Sequence, residues 1–379
     1  MQNRVIVNFL HALVVACLLT SFAQALPEGG PARWTESEAS AWYAHQPWLV
    51  GSNYIPATAI NELEMWQAET FDPSRIDLEL GWAESLGLNT MRVFLHDLLW
   101  QQDASGFQKR IDTFLTIADK HHIRILFVLF DSCWDPDPHL GKQHDPRPGV
   151  HNSGWVQSPG AAALKDPAQL PRLEAYVKGV VGAFAKDPRI LGWDVWNEPS
   201  NTNQGRYGSQ ELPNKVELVL ALLPKVFAWA REAGASQPLT SGLWEGNWTS
   251  PNQLGRMQNI QLQQSDILSF HDYGKPAEFK QRVRWLQKYH RPILCTEYMA
   301  RPRGSTFQGI LPIAKEYKVA ATNWGLVAGK TQTYLPWDSW KKAYTDHQPK
   351  QWFHEIFRTD GTLYDPEEGA FIRKIIAGY

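Results

Sequence analysis

Short apolar runs alternate with longer amphipathic segments along most of the chain. The runs Trp48–Tyr54, Thr90–Phe94, Arg124–Phe130, Ile190–Trp196, Leu239–Trp244, Ile267–His271, Ile293–Tyr298 and Ala320–Leu326 have the length and composition of strands. Ile123–Phe130 is almost wholly apolar, as expected of a strand buried on both faces. Helical periodicity fills the intervals at Pro73–Leu86, Phe107–His121, Pro171–Lys186, Pro213–Glu232, Ala277–Tyr289 and Gln308–Tyr317. The period is weakest around Gln253–Gln261, where the fifth crossover helix is expected, and Pro366–Ile376 is expected to close the chain as a last helix. Local signals agree. Thr35 and Glu38 form a capping box for a helix near Glu36–His45, Asp72-Pro73 is a cap followed by proline at the first helical position, and Gly87 is a stop.

Eight strands with helices between them predict one parallel sheet, and eight repeats favour closure into a single (β/α)8 barrel. A doubly wound open sheet is the alternative, but no Gly-rich phosphate fingerprint follows the first strand. The Asp131–Asp166 stretch, rich in Pro, Gly, His and Asp, predicts a functional loop over the barrel mouth.

Composition changes this picture only in part. With 43% hydrophobic and 20% charged residues the 379-residue chain can bury a large core, and a formal net charge of -2 gives no reason to expect nucleic acid as a partner. The 18 tryptophans exceed what a core needs and suit stacking against flat apolar faces. Arg4, the apolar Val5–Leu19 run and Ala23-Gln24-Ala25 read as a signal peptide over residues 1–25, leaving residues 26–379 as one domain and predicting a secreted or periplasmic protein. Val14-Val15-Ala16-Cys17 also matches a lipoprotein cleavage box, although Leu18-Leu19 continues the apolar run past the cysteine. No later stretch would span a bilayer. Cys133 and Cys295 remain in the mature chain, where buried free thiols are preferred over a disulfide.

Two segments carry chemistry. Gly192-Trp193-Asp194-Val195-Trp196-Asn197-Glu198-Pro199 is a buried strand ending in a polar pair and stopped by proline. Ile293-Leu294-Cys295-Thr296-Glu297-Tyr298 is another apolar strand ending in a glutamate. Barrel active sites lie at the C-terminal ends of the strands, so both glutamates should project into the mouth. A single strand-end glutamate is usually a solvated rim residue; two of this kind suggest paired carboxyl chemistry. Glycoside hydrolysis needs such a pair, with one group protonated to assist the leaving oxygen and the other ionised. Aromatic surroundings suit Glu198 as the acid, and Arg92 can supply donors that keep Glu297 charged.

With these residues the chain resembles glycoside hydrolase family 5 and the wider clan of (β/α)8 retaining β-glycosidases, over roughly residues 46 to 330. The resemblance implies Glu198 as acid/base beside Asn197 and Glu297 as nucleophile, with no cofactor. It also implies sugar-binding roles for Arg92, for His271 and Tyr273 in His271-Asp272-Tyr273, and for Trp324 in Asn323-Trp324-Gly325. Asn197 would bond a sugar 2-hydroxyl, Tyr273 would hold Glu297, His271 would tune Glu198 and Trp324 would floor the subsite at the cleaved bond. One departure stands out: many members end strand three in Asp-x-His, whereas Asp131-Ser132-Cys133-Trp134 puts Cys133 where the histidine would fall. Either His96 takes over those contacts or the subsite differs. The following Trp134-Asp135 resembles the β-mannanase branch and leans toward manno-configured substrates.

The loop residues Asp131, Asp135, Asp137, His139, His144, Asp145 and His151 lack a recognised metal-ligand spacing and are expected to form a substrate rim, with Trp134 and Trp155 as platforms, rather than a metal site. No Gly-x-Ser-x-Gly supports a serine hydrolase. Asn247-Trp248-Thr249 matches a glycosylation sequon, which carries no meaning if the source is bacterial, as the lipobox-like signal suggests. The sequence therefore predicts a monomeric β-glycosidase acting on carbohydrate. A transglycosylase using the same intermediate, or a non-catalytic carbohydrate-binding barrel, are the alternatives.

Overall fold

The computed structural model describes residues 32–378, so the expected leader at residues 1–25 lies outside the described residues. Eight strands appear where the apolar runs placed them: β1 Val50–Asn53, β2 Thr90–Phe94, β3 Arg124–Val128, β4 Ile190–Asp194, β5 Leu239–Thr240, β6 Leu268–His271, β7 Ile293–Glu297 and β8 Ala320–Asn323. They form one parallel sheet in the order β5-β4-β3-β2-β1-β8-β7-β6. The circle closes between β5 and β6 through two backbone bonds: Leu243 N–H donates to Ser269 O at 2.9 Å, and His271 N–H donates to Leu243 O at 2.8 Å. The fold is a (β/α)8 barrel.

Crossover helices follow β1 to β7 at Pro73–Ser85, Asp97–Lys120, Leu170–Ala183, Lys215–Glu232, Arg256–Gln264, Pro276–Gln287 and Phe307–Glu316, and Pro366–Ala377 follows β8. None of the described helices is long and apolar enough to cross a membrane. The second crossover begins ten residues before the expected Phe107. His96 caps it, and a bend at Asp103 (φ −160°, ψ 81°) joins two helical pieces whose polar junction breaks the period.

The barrel interior is graded. Alternate strand positions point inward, and Leu49, Leu126, Leu191, Ile267, Leu294 and Ala320 form an apolar plug that Trp34 and Trp42 of the N-terminal segment cover from below. The opposite faces, with Val93, Phe127, Trp193 and Phe270, join the large core under the helices. Above the plug the inward positions turn polar. Register sets Asn53 beside Arg92 and His271 beside Glu297, which gathers charge at the C-terminal end of the strands.

Candidate active site

Arg92 is the centre of the polar layer. Its side chain is fully buried, and each of its five N–H groups has an acceptor. Nε and Nη2 donate to Asp194 Oδ2 at 3.0 and 2.7 Å, and Nη1 donates to Asn53 Oδ1 at 2.9 Å and to Glu297 Oε1 at 2.8 Å. The last, from Nη2, reaches Asn197 Oδ1 at 2.7 Å. A guanidinium so clamped cannot rotate, so the Glu297 carboxylate is aimed by the scaffold. Tyr273 Oη donates to the other oxygen of Glu297 at 2.8 Å.

Glu198 is held differently. It lies beyond the end of β4 with left-handed backbone (φ 42°), an unfavourable conformation for a residue with a Cβ, fixed between the Asn197 turn and Pro199. Asn197 N–H donates to Phe130 O at 2.7 Å and Ser132 N–H donates to Asn197 O at 3.2 Å, which anchors the turn to the segment after β3. The carboxyl group of Glu198 is bonded to His271 Nδ1 at 2.9 Å and accepts from Asn201 Nδ2 at 2.7 Å and from the Cys133 thiol at 3.3 Å. His271 Nδ1 also lies 3.5 Å from Glu297 Oε2. An oxygen of each glutamate and this nitrogen lie within 4.8 Å of one another.

Two carboxyl groups this close, out of water, cannot both ionise freely. Burial pushes both Glu198 and Glu297 above the usual carboxylate range. For Glu297 a protonated His271, Arg92 and the Tyr273 hydroxyl pull the other way while the neighbouring Glu198 adds to the rise; Glu198 is relieved by Asn201 and Cys133 and by the fields of Arg92 and Arg206. Glu297 touches a guanidinium directly and Glu198 does not. Burial lowers His271 to about 4, so it is neutral at neutral pH.

A cavity of about 260 Å³ opens above the pair. Asp131, Trp134, Asn197, Tyr273 and Trp324 line it, together with both glutamates and Cys133. Asp131, pushed up to about 6 by burial, accepts from Asn197 Nδ2 at 2.8 Å and from Trp155 Nε1 at 2.7 Å. Asn197 is thus oriented from both ends. Trp155 also lines the cavity, edge-on to Trp324.

His96 does not replace the missing histidine. It is buried behind the cavity, where Nδ1 accepts from Leu98 N–H at 3.1 Å as a helix cap and Nε2 bonds Gln157 O at 3.0 Å. Cys133 itself stands at the cavity, with its sulfur 3.3 Å from Glu198 Oε2 and 3.4 Å from Asn197 Nδ2. Both cysteines are buried free thiols. The loop carboxylates and imidazoles do not converge: Asp137 and His139 pair with each other at the surface, and His151 is buried with Nδ1 on Leu335 O. Among the described residues Glu198, His271 and Glu297 alone are close enough to share an ion, and each is already engaged in hydrogen bonds.

Several residues of the site are absent from the sequence-based expectation. Asp194 left a signal, a charge inside an apolar strand. Trp244 ends the fifth apolar run, whereas Asn201, Arg206, Trp337 and His354 reach the cavity from segments outside the strands and left none.

The family model described as Cellulase (glycosyl hydrolase family 5) matches residues 149–343. No curated protein matches the sequence. Among solved structures, a GH5_18 variant from Streptomyces cattleya in complex with Manβ1-4GlcNAc aligns with a TM-score of 0.57 at 13% identity, covering 88% of this chain and 80% of that one. An exo-β-1,4-mannosidase from an Opitutaceae bacterium aligns with a TM-score of 0.57 at 17% identity, covering 87% and 59%. A hyperthermostable endo-1,4-β-D-mannanase from Thermotoga petrophila gives 0.54 at 12% identity, covering 87% and 99%. At these identities the likeness is one of fold.

Proposed function

Because the chain belongs to glycosyl hydrolase family 5, and is therefore a glycoside hydrolase, we propose that it cleaves β-linked glycosides with retention by double displacement. The observation that carries this is the short separation of two differently held carboxyl groups. Retaining enzymes place them about 5–5.5 Å apart, whereas inverting enzymes need about 6.5–9.5 Å to admit water. Oxygens of Glu198 and Glu297 within 4.8 Å of each other support the first arrangement.

In this mechanism the ionised Glu297 attacks the anomeric carbon while Glu198 gives its proton to the leaving oxygen. The glycosyl ester on Glu297 is then hydrolysed by water that Glu198, now a carboxylate, deprotonates. Arg92 and Tyr273 aim the nucleophile, Asn197 is placed to meet the 2-hydroxyl, and Trp324 offers a face to the sugar ring. No cofactor enters any step. The leader-like residues 1–25 support export to the periplasm or outside the cell. The mannoside-acting structures of the same fold make β-mannosides the first backbone to screen.

Proton NMR of the first-formed sugar product tests the mechanism. A β-anomer appearing before mutarotation is expected, and an initial α-anomer would contradict it.

A further inference from the structure

Most buried arginines of this protein have acidic partners: Arg92 has Asp194, Arg231 has Asp266 and Arg301 has Glu368. The mouth of the cavity is different. Arg206 lines it half-buried, with its guanidinium carbon 4.1 Å from the ring centroid of Trp134. Trp134 stacks on Trp340 at 5.4 Å, and Arg147 lies over that second ring at 5.1 Å. On the remaining side Arg303 lies over Trp337, another cavity residue, at 5.4 Å. Among the described residues none of these three guanidinium groups has an acidic oxygen within 4.0 Å. Glu198 and Asp272 feel the fields of Arg206 and Arg303 from farther away.

Stacking fixes the plane of a guanidinium while leaving its edge N–H groups free, the arrangement that presents a fork to an anion. A half-buried cation without a partner has lost hydration and gained nothing ionic in return. Such a group is expected where a ligand supplies the missing charge. The imidazoles in the same wall do not compete for that role, since burial takes His151 down to about 3 and His354 well below its usual range. Arg206 is the unpaired positive charge inside the cavity, and Arg147 and Arg303 extend it outward.

We propose that the substrate is an anionic β-glycan, whose sugar carboxylate or sulfate ester is taken by Arg206 above the glutamate pair. The proposal rests on the glycosidase reading and narrows its substrate class, whatever the neutral backbone.

Two matched pairs of oligosaccharides test it: a uronate-bearing β-oligosaccharide with its carboxyl-reduced form, and a sulfated one with its desulfated form. The ratio of kcat/KM between the members of each pair is measured for the wild-type chain, R206A and R206K. Dissociation constants follow from tryptophan quenching in E297Q with and without R206A. The anionic member of one pair should be favoured by about 10- to 100-fold, the size of hydrogen bonds to a charged group. R206A should bring that ratio close to one, and R206K should restore part of it. Which pair shows the preference identifies carboxylate or sulfate. Equal handling of both members by the wild-type chain, or an R206A loss that is the same for both, would overturn the proposal. Absent turnover with an intact anion preference in binding would count against the hydrolytic reading and for the anionic subsite.

Discussion

The two glutamates stand within a few ångströms of each other in one cavity, yet their surroundings have little in common. Glu297 ends a regular strand and rests on a guanidinium whose five donors are all used. Glu198 sits beyond its strand in left-handed backbone, with a neutral imidazole, an amide and a thiol around it. Burial raises both carboxyl groups. What separates them is the charge and rigidity of their partners, and that difference supports the proposed division into nucleophile and acid/base.

Removing either side breaks the comparison most severely. Glu297→Gln should lower kcat/KM by about 10⁴-fold or more, with circular dichroism unchanged, since no nucleophile remains. Glu198→Gln should cost about 10²–10⁴-fold. That loss should depend on the leaving group: large for a sugar alcohol, much smaller for an activated aryl glycoside that departs without protonation. Equal losses on both substrates would remove Glu198 from the acid role.

Arg92→Met attacks the difference itself. It strands Asp194 and Glu297 without their buried cation and should destabilise the fold by about 3–5 kcal/mol in denaturant titration. Tyr273→Phe is milder and leaves the guanidinium in place. It should lower kcat by about tenfold, as expected for one hydrogen bond to a charged group, and move the acid limb of the pH profile upward, because Glu297 loses a donor that favours its ionised form.

The smallest effect lies on the Glu198 side. In the proposed mechanism Glu198 must be protonated, so the alkaline limb of kcat/KM should follow its ionisation and fall as pH rises through that point. Asn201 and Cys133 both donate to the carboxylate form and lower the raised value. Asn201→Ala and Cys133→Ala should each shift the alkaline limb to higher pH, Asn201→Ala by more. A shift to lower pH in either variant would show that these donors do not serve Glu198.

The contrast was half legible in the sequence. Apolar strands ending in Asn197-Glu198-Pro199 and in Glu297 announced both the barrel and the pair, because strand period and proline act locally. The arginine partner was also readable, as a charge interrupting an apolar run at Arg92. The full hub was not, since Asn53, Asp194 and Asn197 meet Arg92 only through parallel register across β1, β2 and β4. His96 was misplaced for a related reason: its helix starts at Asp97, in a stretch whose polar residues conceal the period, and capping claims the imidazole. The cation rim was hidden entirely. Arg206 and Arg303 come from loops and Trp337 from the segment after β8, where side-chain direction has no sequence period.

The division of roles is tested most directly by trapping the intermediate. The chain is incubated with 2-deoxy-2-fluoro-β-glycosyl fluorides of manno and gluco configuration, digested and sequenced by mass spectrometry. A fluoroglycosyl adduct on Glu297, in the peptide spanning Ile293–Tyr298, is the expected result. An adduct on Glu198 instead would contradict the assignment.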